Sequence, residues 1–210
     1  MEIWSDSFEN GQPIPARYAF GKPHPTSHVQ LSDNVNPHIA WSDLPVGTRS
    51  LALLCVDVDV PSKPDAVNKE GMTVPAELAR VDFYHWILVD LAPEGGPLQE
   101  GEFSSAVTAK GKPGPEGPRG TRQGVNSYRE WFERDPSMTG DYFGYDGPCP
   151  PWNDERVHHY DFRLYALDVP RCPAEGNLRG PEVLVAIQGH ILDKALLVGS
   201  YQIYPEARAV

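Results

Sequence analysis

"LALLCVDVDVP", residues 51–61, is the stretch on which the architecture turns. Its apolar, β-branched content and the closing Pro61 read as a strand entering a protein interior. Successive side chains of a strand alternate between faces. Asp57 and Asp59 are therefore expected on one face, and Val56, Val58 and Val60 on the other. Buried carboxylates are costly unless paired or hydrogen-bonded. The stretch is either a solvated sheet rim or the floor of a site.

Downstream, "VDFYHWILVDLAP" (81–93) and "VHHYDFRLYALDVP" (157–170) supply two further strong strands, and "ALLVGSYQIYP" (195–205) a last one. In the second of these, His158, Tyr160, Phe162 and Leu164 share the apolar face, so His158 should point inward. His159, Asp161, Arg163 and Tyr165 take the other face. His85 falls in an apolar row with Phe83, Ile87 and Val89, which suits a satisfied core histidine as well as a functional one. "NSYREWFERDP" (126–136) reads as one short helix, with Ser127 and Glu130 at capping-box spacing and Tyr128, Trp131 and Phe132 toward the core. Pro181 suits a second helix start, with Val183, Leu184, Ile187 and Ile191 on one face. Loops, not regular crossover helices, join the long strands, which disfavours a parallel α/β fold. The expected architecture is mainly β: an antiparallel β-sandwich with one or two short helices, in one domain over residues 1–210.

Composition agrees with many turns, for the 210 residues include 22 prolines and 19 glycines. The balance of 18 basic against 29 acidic residues, formally −11, disfavours nucleic acid and anionic membranes as broad partners. Three cysteines, Cys55, Cys149 and Cys172, lack metal-ligand spacing and cannot all pair. No stretch approaches a membrane span, and the N-terminus lacks an apolar signal core. A reducing, cytoplasmic setting is the expectation. "SKPDAVNKEGMTVPAELAR" (62–80) is a long polar excursion. "KGKPGPEGPRGTRQG" (110–124) keeps a glycine every third residue for four triplets and reads as an exposed, mobile loop.

Three of the strands deliver polar groups at one end: Asp57 and Asp59, His85, and His158 with Tyr160. Before the last pair comes "GPCPPWNDERVHHY" (147–160), a loop stiffened by Pro148, Pro150 and Pro151. Aspartates beside histidines raise the imidazole pKa and orient the ring. Cationic imidazoles would then donate hydrogen bonds to a bound anion, with a tyrosine hydroxyl as another donor.

"DVDVP", "HWILVDL" and "GPCPPWNDERVHHYDFRLYALD", in that order, resemble the phosphatidylethanolamine-binding protein family, most closely its bacterial branch, related to the Raf kinase inhibitor protein. With the closing "GHILDKALLVGSYQ", the resemblance covers roughly residues 15–205. It implies a Greek-key β-sandwich with a small anion pocket for phosphate-bearing head groups. By motif position it carries Asp57, Asp59, His85, Pro150, Pro151, His158 and Tyr160 into that pocket. For the eukaryotic relatives the resemblance implies regulation of a kinase or protease partner, and for the bacterial branch weak homodimerisation; no catalytic residue, metal or cofactor is assigned. Two departures stand out. Val58 interrupts the family's Asp-Pro-Asp, and His159 replaces an arginine, which should act structurally before it acts on a ligand.

Two other functions use the same residues. One is a hydrolase or isomerase working by Asp/His acid–base chemistry. It lacks a G-x-S-x-G elbow, and Cys149 is its one candidate nucleophile. The other is a metal site from Asp57, His85 and His158.

Overall fold

A computed structural model describes residues 1–207 of the chain; residues 208–210 of the expected domain lie outside the described residues. In chain order the elements are β1 (Glu2–Trp4), β2 (Gly21–His24), β3 (His28–Leu31), β4 (Ala40–Ser42), β5 (Ser50–Pro61), β6 (Arg80–Leu91), β7 (Arg122–Gln123), α1 (Tyr128–Trp131), β8 (His158–Leu167), α2 (Gly180–Ile187) and β9 (Ile191–Tyr201). Strands β7-β6-β5-β8-β9 form the main sheet, in which every pair is antiparallel. The pairs β1-β4 and β2-β3 form two small antiparallel ribbons. The mainly β, antiparallel architecture expected from the sequence is therefore present.

Strand β5, which holds the Asp57 and Asp59 stretch, is the centre of this sheet and is buried on both sides. Leu51, Leu53 and Cys55 enter one core with Trp86, Phe162 and Leu164. Ala52, Leu54 and Val56 enter a second with Ile87, Val89 and the helix residues Val183 and Ile187. Residues of β1, β4 and the N-terminal segment pack on the first core, and α2 covers the second. Burial on both faces explains why residues 51–56 are apolar without interruption.

Two irregularities break the β5–β6 ladder near one end of the sheet. Cys55 pairs with Trp86 but the next residue, Val56, pairs with Tyr84, so β6 carries one extra residue, His85. Asp57 then pairs with Phe83 and Val60 with Val81, so β5 carries one extra residue across 58–59. Each is a β-bulge, which re-aims the side chains beyond it.

Some local expectations change. Ser127 makes no cap to its helix; its hydroxyl instead accepts the Tyr84 N–H at 3.0 Å. Tyr128 is buried as expected, while Trp131 is 47% exposed. Helix α2 stops at Ile187, Gly189 takes φ +98°, and Ile191 opens β9 instead of extending the helical face. The 110–124 segment is not a free loop. A Cβ on Gly114 would overlap the Phe143 ring, and one on Gly111 would overlap the Asp141 carbonyl. Thr121 and Gln123 are buried, and Lys112 pairs with Asp146. Its glycines allow close approach to a neighbouring chain segment rather than a repeating helix.

Candidate functional site

A cavity of about 250 Å³ opens at the end of the main sheet where β5, β6 and β8 meet. Asp57, His85 and His158 reach its floor, one from each strand. Pro150, Pro151 and Cys149 form one wall, and the 62–80 excursion places Pro64, Val67 and Asn68 against it. Tyr128, Trp131 and Phe132 of the α1 region, with Phe20 and Phe83, complete an aromatic side. Among the described residues, no lysine or arginine lines it.

The bulges decide which residues arrive. Without the extra residue on β6, His85 would follow Ile87 and Val89 into the second core. The bulge turns it beside Phe83, into the cavity. On β5 the other bulge swaps the expected faces: Val60 lines the cavity and Asp59 does not. Asp59 instead accepts from the ring and the backbone N–H of His159, at 2.8 and 2.9 Å, and from Arg156 at 3.1 Å. The arginine missing at position 159 thus has a neighbour, Arg156, supplying a guanidinium to the same aspartate. Burial alone would raise the Asp59 pKa, but the hydrogen bonds from His159 and Arg156 hold it below its ordinary value.

His158 is fully buried and both ring nitrogens are engaged. Nδ1 meets Asp57 at 2.7 Å and Nε2 meets Asp154 at 3.1 Å. Carboxylates only accept, so both nitrogens carry protons and the ring is a cation. Burial works against that charge, yet Asp57 and Asp154 outweigh it and push the His158 pKa up to about 9. Asp154 in turn receives a two-pronged guanidinium contact from Arg80, at 2.6 and 3.0 Å. Burial would raise Asp154, and its bonds to His158 and Arg80 hold it below the usual range.

His85 is different. Its Nδ1 lies 2.7 Å from the Asp146 carbonyl, which can only accept, so Nδ1 is the donor. Burial draws the His85 pKa below its ordinary value, against the upward pull of Asp57 and of the Asp146 carbonyl. The resting ring is neutral, and its Nε2, which has no partner among the described residues, is an acceptor. The sequence-based picture of two cationic rings donating to a guest therefore changes. His158 is the cation but has no N–H to spare, and His85 has the free nitrogen but no charge.

Tyr160 packs edge-on to His85, with ring centroids 5.1 Å apart. Its hydroxyl is buried without a hydrogen-bond partner among the described residues, and burial with the Asp57 charge pushes its pKa up. Cys149 is a free thiol; burial raises it to about 12, so it is not a thiolate at neutral pH. Among the described residues, no group of three or more His, Cys, Asp or Glu is placed to hold a metal ion. Likewise, no helix there is long and apolar enough to cross a membrane.

Sequence reasoning passes over Asp154, Arg80, Asp146 and Asn68. Asp154 is visible four residues before His158. Asn68 is not, since nothing local marks it. Its Oδ1 accepts the Trp152 N–H at 3.0 Å, while its NH₂ at the cavity rim has no partner among the described residues.

Comparison with known proteins bears on the whole chain. A family model described as phosphatidylethanolamine-binding protein matches residues 4–202. The UPF0098 protein of Chlamydia muridarum is 31% identical over 202 residues, covering 96% of this chain and 99% of the relative. UPF0098 protein YbhB of Escherichia coli is 27% identical over 201 residues, with the same coverage. Among solved structures, a phosphatidylethanolamine-binding protein homolog from Chlamydia trachomatis superposes with a TM-score of 0.62 at 27% identity, over 96% of each chain. Escherichia coli YbcL, described as a member of the mammalian PEBP family, gives 0.64 at 22% identity over 96% of this chain and 97% of its own, a likeness of fold.

Proposed function

The chain belongs to the phosphatidylethanolamine-binding protein family, and on that basis we propose that it is a non-catalytic binding protein whose cavity takes a phosphate-bearing head group together with a proton. One observation carries this reading: the free polar nitrogen at the cavity floor is the unpartnered Nε2 of a neutral His85. A phosphate dianion arriving there meets the Asp57 carboxylate and an imidazole lone pair, with no lysine or arginine among the described residues lining the cavity. A singly protonated phosphate suits the same place. Its P–O–H donates to Nε2, or passes the proton to Nε2 and keeps a charged N–H···O contact. The Asn68 NH₂ at the rim supplies a donor to another phosphate oxygen. The organic part of the ligand packs on Phe83, Tyr128 and Trp131.

Calorimetric titration with phenyl phosphate at pH 6 and pH 8 tests this, beside His85→Ala. The expected result is tighter binding at pH 6, lost in the variant. Equal affinity at the two pH values, or binding retained by His85→Ala, would overturn it.

The neutral His85 also favours a second reading, an acid–base hydrolase or isomerase with Nε2 as general base. Cys149, with its thiol near 12, is a poor nucleophile for such an enzyme. Turnover of an aryl ester or phosphate that disappears with His85→Ala would move the assignment to that class.

A further inference from the structure

Asp146 reaches His85 twice through its backbone. Its N–H donates to the His85 carbonyl at 3.0 Å, and its own carbonyl accepts the ring Nδ1–H at 2.7 Å. The Asp146 side chain, 1% exposed, is held elsewhere. Asn34 donates to Oδ1 at 2.8 Å, Asn126 to Oδ2 at 2.8 Å, and the Lys112 ammonium to Oδ1 at 2.7 Å. Two amides and one cation thus fix a buried carboxylate whose backbone sets the tautomer of the histidine in the cavity. Lys112 comes from the glycine–proline segment, which contributes no residue to the cavity wall.

We infer that Lys112 is a positioning residue for His85, acting through Asp146. Its ammonium neutralises the carboxylate beside the cavity and pins the carbonyl that keeps the ring proton on Nδ1, so that Nε2 is presented as an acceptor. The inference rests on the binding reading only where it makes Nε2 the ligand contact; the effect on the ring stands apart from any ligand.

The sign of the effect separates positioning from general loosening. The ionisable groups around His85 are Asp57 from β5, His158 and Tyr160 from β8, Tyr128 from α1, and Asp146 and Cys149 from the segment that carries the prolines. Lys112→Met leaves all of them in place and unmasks the Asp146 charge, which favours a proton on His85. Asp146→Asn removes that charge and leaves the ammonium, which disfavours it. Loosening of the segment would instead admit water in both variants, relieving burial and raising proton affinity in each.

The test is a nitrogen-resolved NMR titration of His85 in wild type, Lys112→Met, Lys112→Arg and Asp146→Asn. Lys112→Met should raise the proton affinity of His85 by about tenfold, one pKa unit. Lys112→Arg should restore the wild-type value, and Asp146→Asn should lower it. A Lys112→Met ring with unchanged titration and an unchanged tautomer would overturn the inference, as would two variants shifting in the same direction. Should Asp146→Asn not fold, Lys112→Gln decides: it keeps a donor to Asp146 without the charge, so a rise matching Lys112→Met supports the inference, and a wild-type value would overturn it as mere packing. Phenyl phosphate titrated into the wild-type sample is read separately: absence of binding there ends the binding proposal and leaves the ring measurement standing.

Discussion

Asp57 and His85 face the same cavity without bonding to one another: the carboxylate takes the His158 ring at 2.7 Å, and the imidazole takes the Asp146 carbonyl at 2.7 Å. Charge and hydrogen-bonding capacity are thereby split between two histidines. One is a clamped cation that stabilises the floor; the other is a neutral ring left with a free nitrogen.

Stability should follow the clamped ring with pH. The His158 pKa is raised from 6.5 to about 9 on folding, so its contribution is fully present below about pH 6.5 and lost as pH climbs through 9. The amount is on the order of 3 kcal/mol. Asp59 and Asp154 are lowered, so their contributions are present above about pH 3.8 and lost as pH falls through their folded values. The thiols of Cys55 and Cys149, both raised by desolvation, add a separate alkaline loss. The His158 share is therefore the difference between wild type and His158→Gln in urea unfolding from pH 6 to 10. Parallel curves for the two proteins would contradict the clamp.

Breaking the clamp from the far side should cost more than a surface ion pair does. Asp154→Ala leaves a buried imidazolium and the Arg80 guanidinium without their shared carboxylate. A loss of about 3–5 kcal/mol in urea unfolding is expected, with the His158 pKa falling from about 9 in an NMR titration. A loss below about 1 kcal/mol would mean that water replaces the carboxylate.

How far the sequence can be read is clearest on β8. Strict alternation puts His158, Tyr160 and Phe162 inward and Tyr165 on the other face, and the two cores divide them that way. The same rule misplaces Asp59, Val60 and His85, because a bulge inserts one residue without any compositional mark. The ion network is half legible: Asp154 lies within the motif before His158, but its second partner, Arg80, is 74 residues away. Glycine spacing in 110–124 suggests freedom, whereas Gly114 and Gly111 answer to Phe143 and Asp141, contacts that no local pattern encodes.

The packing of that segment has its own test. Gly114→Ala drives a Cβ into the buried Phe143 ring. A destabilisation of about 1–3 kcal/mol is expected, measured by urea unfolding. Gly120→Ala makes a contrast, for no described atom lies within 4 Å of a Cβ there and its cost comes only from φ +73°.

Cys149 should be slow to react. With its thiol pushed up to about 12, less than one molecule in a thousand holds a thiolate at pH 7. Modification by a disulfide reagent should run at least tenfold slower than for a free thiol with an ordinary pKa near 8.5. Rapid stoichiometric labelling at pH 7 would return Cys149 to consideration as a nucleophile.

The decisive measurement is the proton count on binding. Phenyl phosphate titrated at pH 7 in two buffers of different ionisation enthalpy gives the protons exchanged with solvent. Net proton uptake by the complex is expected, falling to zero with loss of binding in His85→Ala. Binding of the dianion with no proton exchanged, at an affinity His85→Ala leaves intact, would contradict a neutral His85 as the ligand contact.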